Sequence, residues 1–244
     1  MPPPERDFEL KNLKIRVSDQ QSQLAVIITH PWGLLGGNMH NNVVCAAALY
    51  FQRLGITTAR FDFDGSIGRG HAQVDQLLTV AQNMLDGKFS IDEETKPTNL
   101  LLIGYSYGAL IAASATSQLH SICVALVCIA PPFGVQHWLL CFHAKYHMEQ
   151  AAASPDLPRL FLLGDKDNFT SEKAFTDTIA SKFPTQVSTG AVLKGADHFF
   201  QRREKDVLDV VGEWILETFP ICGGDLHKLK YSDFGAPNAH SRVI

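Results

Sequence analysis

The sequence predicts an α/β domain, a mostly parallel sheet with helices on both faces. Short apolar runs alternate with longer segments of helical periodicity, the pattern left by strands joined through crossover helices. The runs are nearly continuous in apolar residues rather than alternating, as expected of strands covered on both sides. The 244 residues are 45% hydrophobic and 19% charged. That suits one sizeable core, and neither a repeat nor a linker divides the chain. Residues 1–244 are therefore expected to form a single domain.

Taken in order, "FELKNLKIRV" (Phe8 to Val17) alternates in polarity and suits an antiparallel edge strand or hairpin. "LAVIITH" (Leu24 to His30), "TTARFDFDG" (Thr57 to Gly65), "NLLLIGYS" (Asn99 to Ser106), "CVALVCIA" (Cys123 to Ala130) and "RLFLLGD" (Arg159 to Asp165) read as core strands. "TQVSTGAVLKG" (Thr185 to Gly195) is a weaker sixth. Between them, "NNVVCAAALYFQRLG" ends at Gly55, "VDQLLTVAQNML" at Gly87 and "VLDVVGEWILETF" before Pro220, all with helical spacing and helix-stopping residues. Residues 131–158, from Pro131 to Pro158, interrupt the rhythm with more chain than a plain connection needs, and are expected to form a small helical cap. Residues 221–244 are polar and weakly periodic, and read as a loosely held tail.

The formal charge of −4 leaves no electrostatic footprint for nucleic acid and no basic block for an acidic membrane. The N-terminus lacks the charged start and apolar core of a signal peptide, and "CVALVCIA" is too short to span a bilayer. A cytosolic protein acting on a small molecule is expected. Cys45, Cys123, Cys128, Cys141 and Cys222 are odd in number and lack CxxC spacing, so buried thiols are expected instead of disulfides or structural zinc.

Chemistry enters at "LLIGYSYGAL", where an apolar strand stops on a serine. Gly104-Tyr105-Ser106-Tyr107-Gly108 is a GxSxG pentapeptide between a strand and the helical segment "ALIAASATSQL". That strand–turn–helix context is what a nucleophile elbow needs. At so tight a turn the flanking positions crowd each other, and residues without a Cβ let the backbone close. With "HPWGLLGGNMHNNVV", "TTARFDFDGSIGRG", "GDKDNF" and "GADHFF" in order around it, the chain resembles the α/β-hydrolase superfamily from about Leu24 to Phe219. More narrowly, it is similar to small bacterial-type members with a His-Pro oxyanion loop.

The resemblance implies an α/β-hydrolase fold in which an acid and then a histidine follow the serine in the chain. "FLLGDKDNF" offers Asp165 and Asp167; the Gly-x-x-Asp pattern of the superfamily selects Asp167, leaving Asp165 as a loop-capping residue. "LKGADHFFQ" puts His198 in the histidine's slot, with Asp197 as a turn residue. The oxyanion hole would take the backbone N–H of Tyr107 and one from "HPWGLLGG". Pro31 has no N–H, so Trp32 is the candidate, with Gly33 as the alternative.

Other residues carry weaker signals. His143 and His147 form an HxxxH without the glutamate of HExxH, which points to a cap or surface role more than to zinc. Trp138, Phe142 and Tyr146 recur every fourth residue and read as a packed helix face. Cys141 has no base beside it in the sequence. Asp62, Asp64 and Gly65 belong to a loop that the resemblance places beside the site, with no catalytic role. The implied activity is hydrolysis of a small ester, thioester or lactone through an acyl-enzyme, which requires no metal or organic cofactor. The competing expectation is a non-catalytic member of the fold that binds a ligand or partner.

Overall fold

The structure, a computed structural model, describes residues 4–64, 68–141, 143–219 and 242–243. Among the described residues nine strands form one sheet: β1 (Arg6–Leu10), β2 (Leu13–Ser18), β3 (Leu24–Thr29), β4 (Thr57–Phe61), β5 (Asn99–Tyr105), β6 (Cys123–Ile129), β7 (Arg159–Gly164), β8 (Ser188–Leu193) and the two-residue β9 (Arg242–Val243). The helices are α1 (Asn42–Arg53), α2 (His71–Leu85), α3 (Tyr107–Leu119), α4 (Gln136–Leu139), α5 (Ala144–Ala152), α6 (Glu172–Lys182) and α7 (Glu204–Thr218). Among the described residues no helix is long and apolar enough to cross a membrane.

The order across the sheet is β1-β2-β4-β3-β5-β6-β7-β8-β9. The N-terminal segment folds as the expected hairpin, and β2 adds antiparallel to β4. Every other pairing is parallel. β4 ends at Phe61, short of the predicted Gly65; the Asp62 N–H still reaches the Lys14 carbonyl of β2, but the Phe63 N–H is taken by the His30 side chain. β9 falls within the predicted tail; residues 220–241 and 244 lie outside those described.

The continuous apolar strands are explained by two cores. In β3, Leu24, Val26 and Ile28 pack with Val44 and Phe51 of α1 and Val211 of α7. Ala25 and Ile27 point the other way, into the core shared with α2, α3, α5 and α6. Alternate residues thus meet opposite helical layers, and each large apolar side chain buried this way contributes about 1.5–3 kcal/mol.

The insertion after β6 carries α4 and α5. α5 returns to the sheet's helical layer through Ala144 and Ala151, and the buried Arg159 at the start of β7 donates to the Ala151 carbonyl at 3.0 Å and the Ser154 carbonyl at 2.5 Å. Sequence periodicity did not single out α6. Only Phe175 and Ile179 are buried along it, too few for a clear stripe. Its one strong signal was the cap, where Ser171 accepts from the Ala174 N–H at 3.2 Å.

The connection from β3 leads to β4 on one side, while β5 pairs on the other. The strand order reverses there, so a crevice opens beyond the carboxyl ends of β3 and β5, the usual ligand position in doubly wound sheets.

Candidate active site

Ser106 sits in that crevice, between β5 and α3, with φ 56° and ψ −120°. The strain is held by close backbone contacts. A Cβ on Gly104 would lie 2.4 Å from the Cα of Ala109, and one on Gly108 would lie 2.6 Å from the His30 carbonyl oxygen. The second contact presses the elbow against the end of β3, where the Thr29 hydroxyl also donates to the Gly108 carbonyl at 2.9 Å. Gly104→Ala is accordingly expected to cost about 3 kcal/mol, because the obstacle is backbone rather than a movable side chain. Urea unfolding measures this, and a variant as stable as the parent would show that the turn relaxes freely.

The structure brings Ser106, His198 and Asp167 together from three loops. His198 Nε2 lies 2.9 Å from Ser106 Oγ, and Nδ1 lies 2.6 Å from Asp167 Oδ2. Asp167 Oδ1 accepts from the Phe169 N–H at 2.7 Å and the Thr170 N–H at 3.0 Å. Both carboxylate oxygens are therefore engaged, and the side chain is fully buried. Gly164 makes this possible: a Cβ there would lie 2.3 Å from the Ala196 carbonyl oxygen, so its absence lets the acid and histidine loops touch. Asp165 turns elsewhere and accepts from the Gly195 N–H at 2.7 Å. Asp197 accepts from the Phe199 and Phe200 N–H groups.

Two side chains that sequence reasoning left without a role hold the histidine's loop. The Tyr105 hydroxyl donates to the His198 carbonyl at 2.9 Å, and Asn42 Nδ2 donates to the Phe199 carbonyl, also at 2.9 Å. Burial raises the Tyr105 pKa further above the ordinary phenol range, so it stays a proton donor. Removing only this hydroxyl, as in Tyr105→Phe, is expected to lower kcat on an ester about tenfold with little change in KM, the equivalent of one lost hydrogen bond. An unchanged kcat would show that the loop keeps its place without it.

The loop after β3 is braced by His30. Its Nε2 accepts from the Phe63 N–H at 2.9 Å, so Nδ1 carries the ring proton and donates to the Pro31 carbonyl at 2.5 Å. Burial lowers the His30 pKa, in keeping with this neutral tautomer. The Pro31–Trp32 peptide is trans, so turning its C=O toward His30 sends the Trp32 N–H to the opposite side. Asp62 adds a second brace by accepting from the Met39 N–H at 2.7 Å. Gly33, the alternative donor, begins a single 3-10 turn, Gly33–Leu35. His30 could have been noticed as a histidine ending a core strand, but its partners follow from sheet order.

The remaining candidates settle into structural places. His147 is buried, with Nδ1 2.8 Å from Ser114 Oγ and Nε2 2.6 Å from the Arg69 carbonyl, while His143 meets His71 at 3.3 Å. Trp138 is 77% exposed and α4 ends one residue later, so the packed face expected of Trp138 and Tyr146 does not form; Phe142 lies outside the described residues. Asp64 accepts from Asn12 at 3.3 Å, and Gly65 is outside the described residues. Cys123 and Cys128 are buried, and burial pushes the Cys123 thiol up to about 12. Cys45 is half-buried and Cys141 is exposed, contrary to the expectation of buried thiols, while Cys222 is outside the described residues.

Ser106 and His198 line a cavity of about 410 Å³ with Pro31 and Trp32 from the β3 loop, and Pro132 and Leu139 from the insertion. Its size falls within the range of small-molecule sites.

This doubly wound sheet, with a serine on a strained strand–helix turn at its switch point, is the fold of the α/β hydrolases. The chain belongs to that superfamily. A serine hydrolase without a lid from Xanthomonas campestris superposes with a TM-score of 0.68 at 26% identity, covering 88% of this chain and 95% of the other. A serine hydrolase homologue from Coxiella burnetii gives 0.67 at 23% identity, covering 86% and 96%. An uncharacterised protein of Schizosaccharomyces pombe is 25% identical over 233 residues, 88% of this chain and 95% of its own length. No family model matches the sequence.

Proposed function

We propose that the protein is a serine hydrolase that cleaves a small ester, thioester or lactone by acyl transfer to water. The observation that carries this is the unbroken hydrogen-bonded chain from Ser106 through His198 to the buried Asp167, opening on a cavity. The similarity to a bacterial serine hydrolase supports the same reading.

In this mechanism His198 Nε2 takes the Ser106 proton as Oγ attacks the carbonyl carbon. Asp167 keeps the other ring proton on Nδ1 and stabilises the imidazolium. The N–H groups of Tyr107, at the start of α3, and of Trp32 receive the negative oxygen of the tetrahedral intermediate, each contributing about 3 kcal/mol. The protonated His198 then gives its proton to the leaving group. Water, activated by the same imidazole, frees the acyl group from Ser106. The His30-braced Pro31 carbonyl fits the His-Pro oxyanion-loop subgroup, and the insertion acts as a partial cap through Pro132 and Leu139. A small molecule processed in the cytosol completes the reading.

The test is incubation with p-nitrophenyl acetate and butyrate, alongside a fluorophosphonate probe and peptide mapping. Turnover with label on Ser106 is expected. Neither turnover nor label would overturn the reading in favour of a non-catalytic ligand binder.

A further inference from the structure

The cavity's walls differ in chemistry, and the difference bears on the substrate. Trp32, Leu35, Leu139, Phe169 and Phe199 make one part of the lining apolar. Among the described residues that line it, none is Lys, Arg, Asp or Glu. Beyond Ser106, His198 and Tyr105, the polar part is made of carboxamides, Asn41, Asn42 and Gln201.

The orientation of Asn42 is set by its partners. Its Nδ2 donates at 2.9 Å to the Phe199 carbonyl and at 2.7 Å to Glu204 Oε1, and both of these can only accept. With the two amide protons committed, Asn42 has its oxygen left to offer. In Asn41 the assignment is reversed: Oδ1 accepts from the Asn38 N–H at 2.7 Å, so its NH2 is the group left to donate. A hydroxyl, which both donates and accepts, has the chemistry to pair with an amide oxygen on Asn42 and an amide NH2 on Asn41.

Two carboxylates stand behind the lining. Asp167 lies beneath His198, and Glu204 stands behind Asn42. Partial burial opposes ionisation of Glu204, but the bonds it accepts, led by that from Asn42, outweigh this and hold its pKa below the usual range. Arg203 is turned to Asp206 and the Lys194 carbonyl. Among the described residues that line the cavity a substrate anion would meet no countercharge, and two carboxylates stand behind them.

We propose that the site takes an uncharged ester whose apolar part packs on Trp32, Leu139 and Phe169 and whose hydroxyl is read by Asn41 and Asn42. This rests on the hydrolase reading above. It is tested with the purified full chain and matched ester pairs, followed by pH-stat. Ethyl butyrate is expected to exceed monoethyl succinate and butyryloxyacetate in kcat/KM by about 100-fold, the anion lying in the acyl half of one and the alcohol half of the other. A hydroxyl is expected to raise kcat/KM about tenfold in whichever half reaches the asparagines, comparing glycerol monobutyrate with propyl butyrate and ethyl 3-hydroxybutyrate with ethyl butyrate. In Asn41→Ala that ratio is expected to fall to near one. Equal cleavage of neutral and anionic esters overturns the proposal, as does a hydroxyl preference that is absent or survives in Asn41→Ala. If no ester is cleaved and Ser106 is unlabelled, the hydrolase reading fails and takes this one with it. Turnover without discrimination removes this proposal alone.

Discussion

Ser106→Ala is expected to lower kcat on p-nitrophenyl butyrate by about 10⁶-fold, the scale seen when a triad nucleophile is removed. The loss should be chemical and not structural. Alanine keeps the Cβ that the φ of 56° already accommodates, and only the hydroxyl's bond to His198 Nε2 disappears. Thermal unfolding should therefore stay close to that of the parent, while fluorophosphonate labelling vanishes. Retention of more than a hundredth of the parent kcat would mean that another group attacks the substrate, and the role given to Ser106 would fall.

Asp167→Asn is expected to cost about 10⁴ in kcat near neutral pH. The carboxylate accepts on both oxygens, from His198 on one side and from the Phe169 and Thr170 N–H groups on the other. An amide has one accepting oxygen. If that oxygen stays with the two backbone donors, the NH2 faces His198 Nδ1 and drives the ring proton to Nε2. His198 could then no longer take the serine proton. Asp165→Asn is the control, since an amide oxygen can still accept from the Gly195 N–H. Its kcat should stay within about twofold of the parent, as for most surface substitutions. Steady-state kinetics on both variants decides the matter, and a reversed ranking would transfer the acid's role to Asp165.

Much of the fold was legible because its signals are local. Continuous apolar strands, helix-stopping glycines and the GxSxG turn each record contacts made within a few residues. Ser106, Asp167 and His198 were candidates for a related reason: each follows a strand, and strand ends in order locate loops on one sheet edge, though the choice of Asp167 over Asp165 came from the Gly-x-x-Asp pattern that the resemblance supplied. α6 escaped notice because its buried contacts are Phe175 and Ile179 alone. Trp138 misled for the opposite reason. A four-residue spacing reads as one helix face, but α4 stops at Leu139 and α5 begins at Ala144.

The sequence by itself determined the class of fold, the elbow and the three residues to look for. Tertiary structure decided what holds them. Tyr105 reaches the His198 carbonyl across 93 residues, and Asn42 reaches the Phe199 carbonyl across 157. His30 aims a peptide through the N–H of Phe63, which stands beside it because β3 and β4 are parallel neighbours. Such bonds leave no periodic trace. A donor and acceptor far apart in the chain meet only when strand order sets their loops side by side, and burial then obliges them to pair.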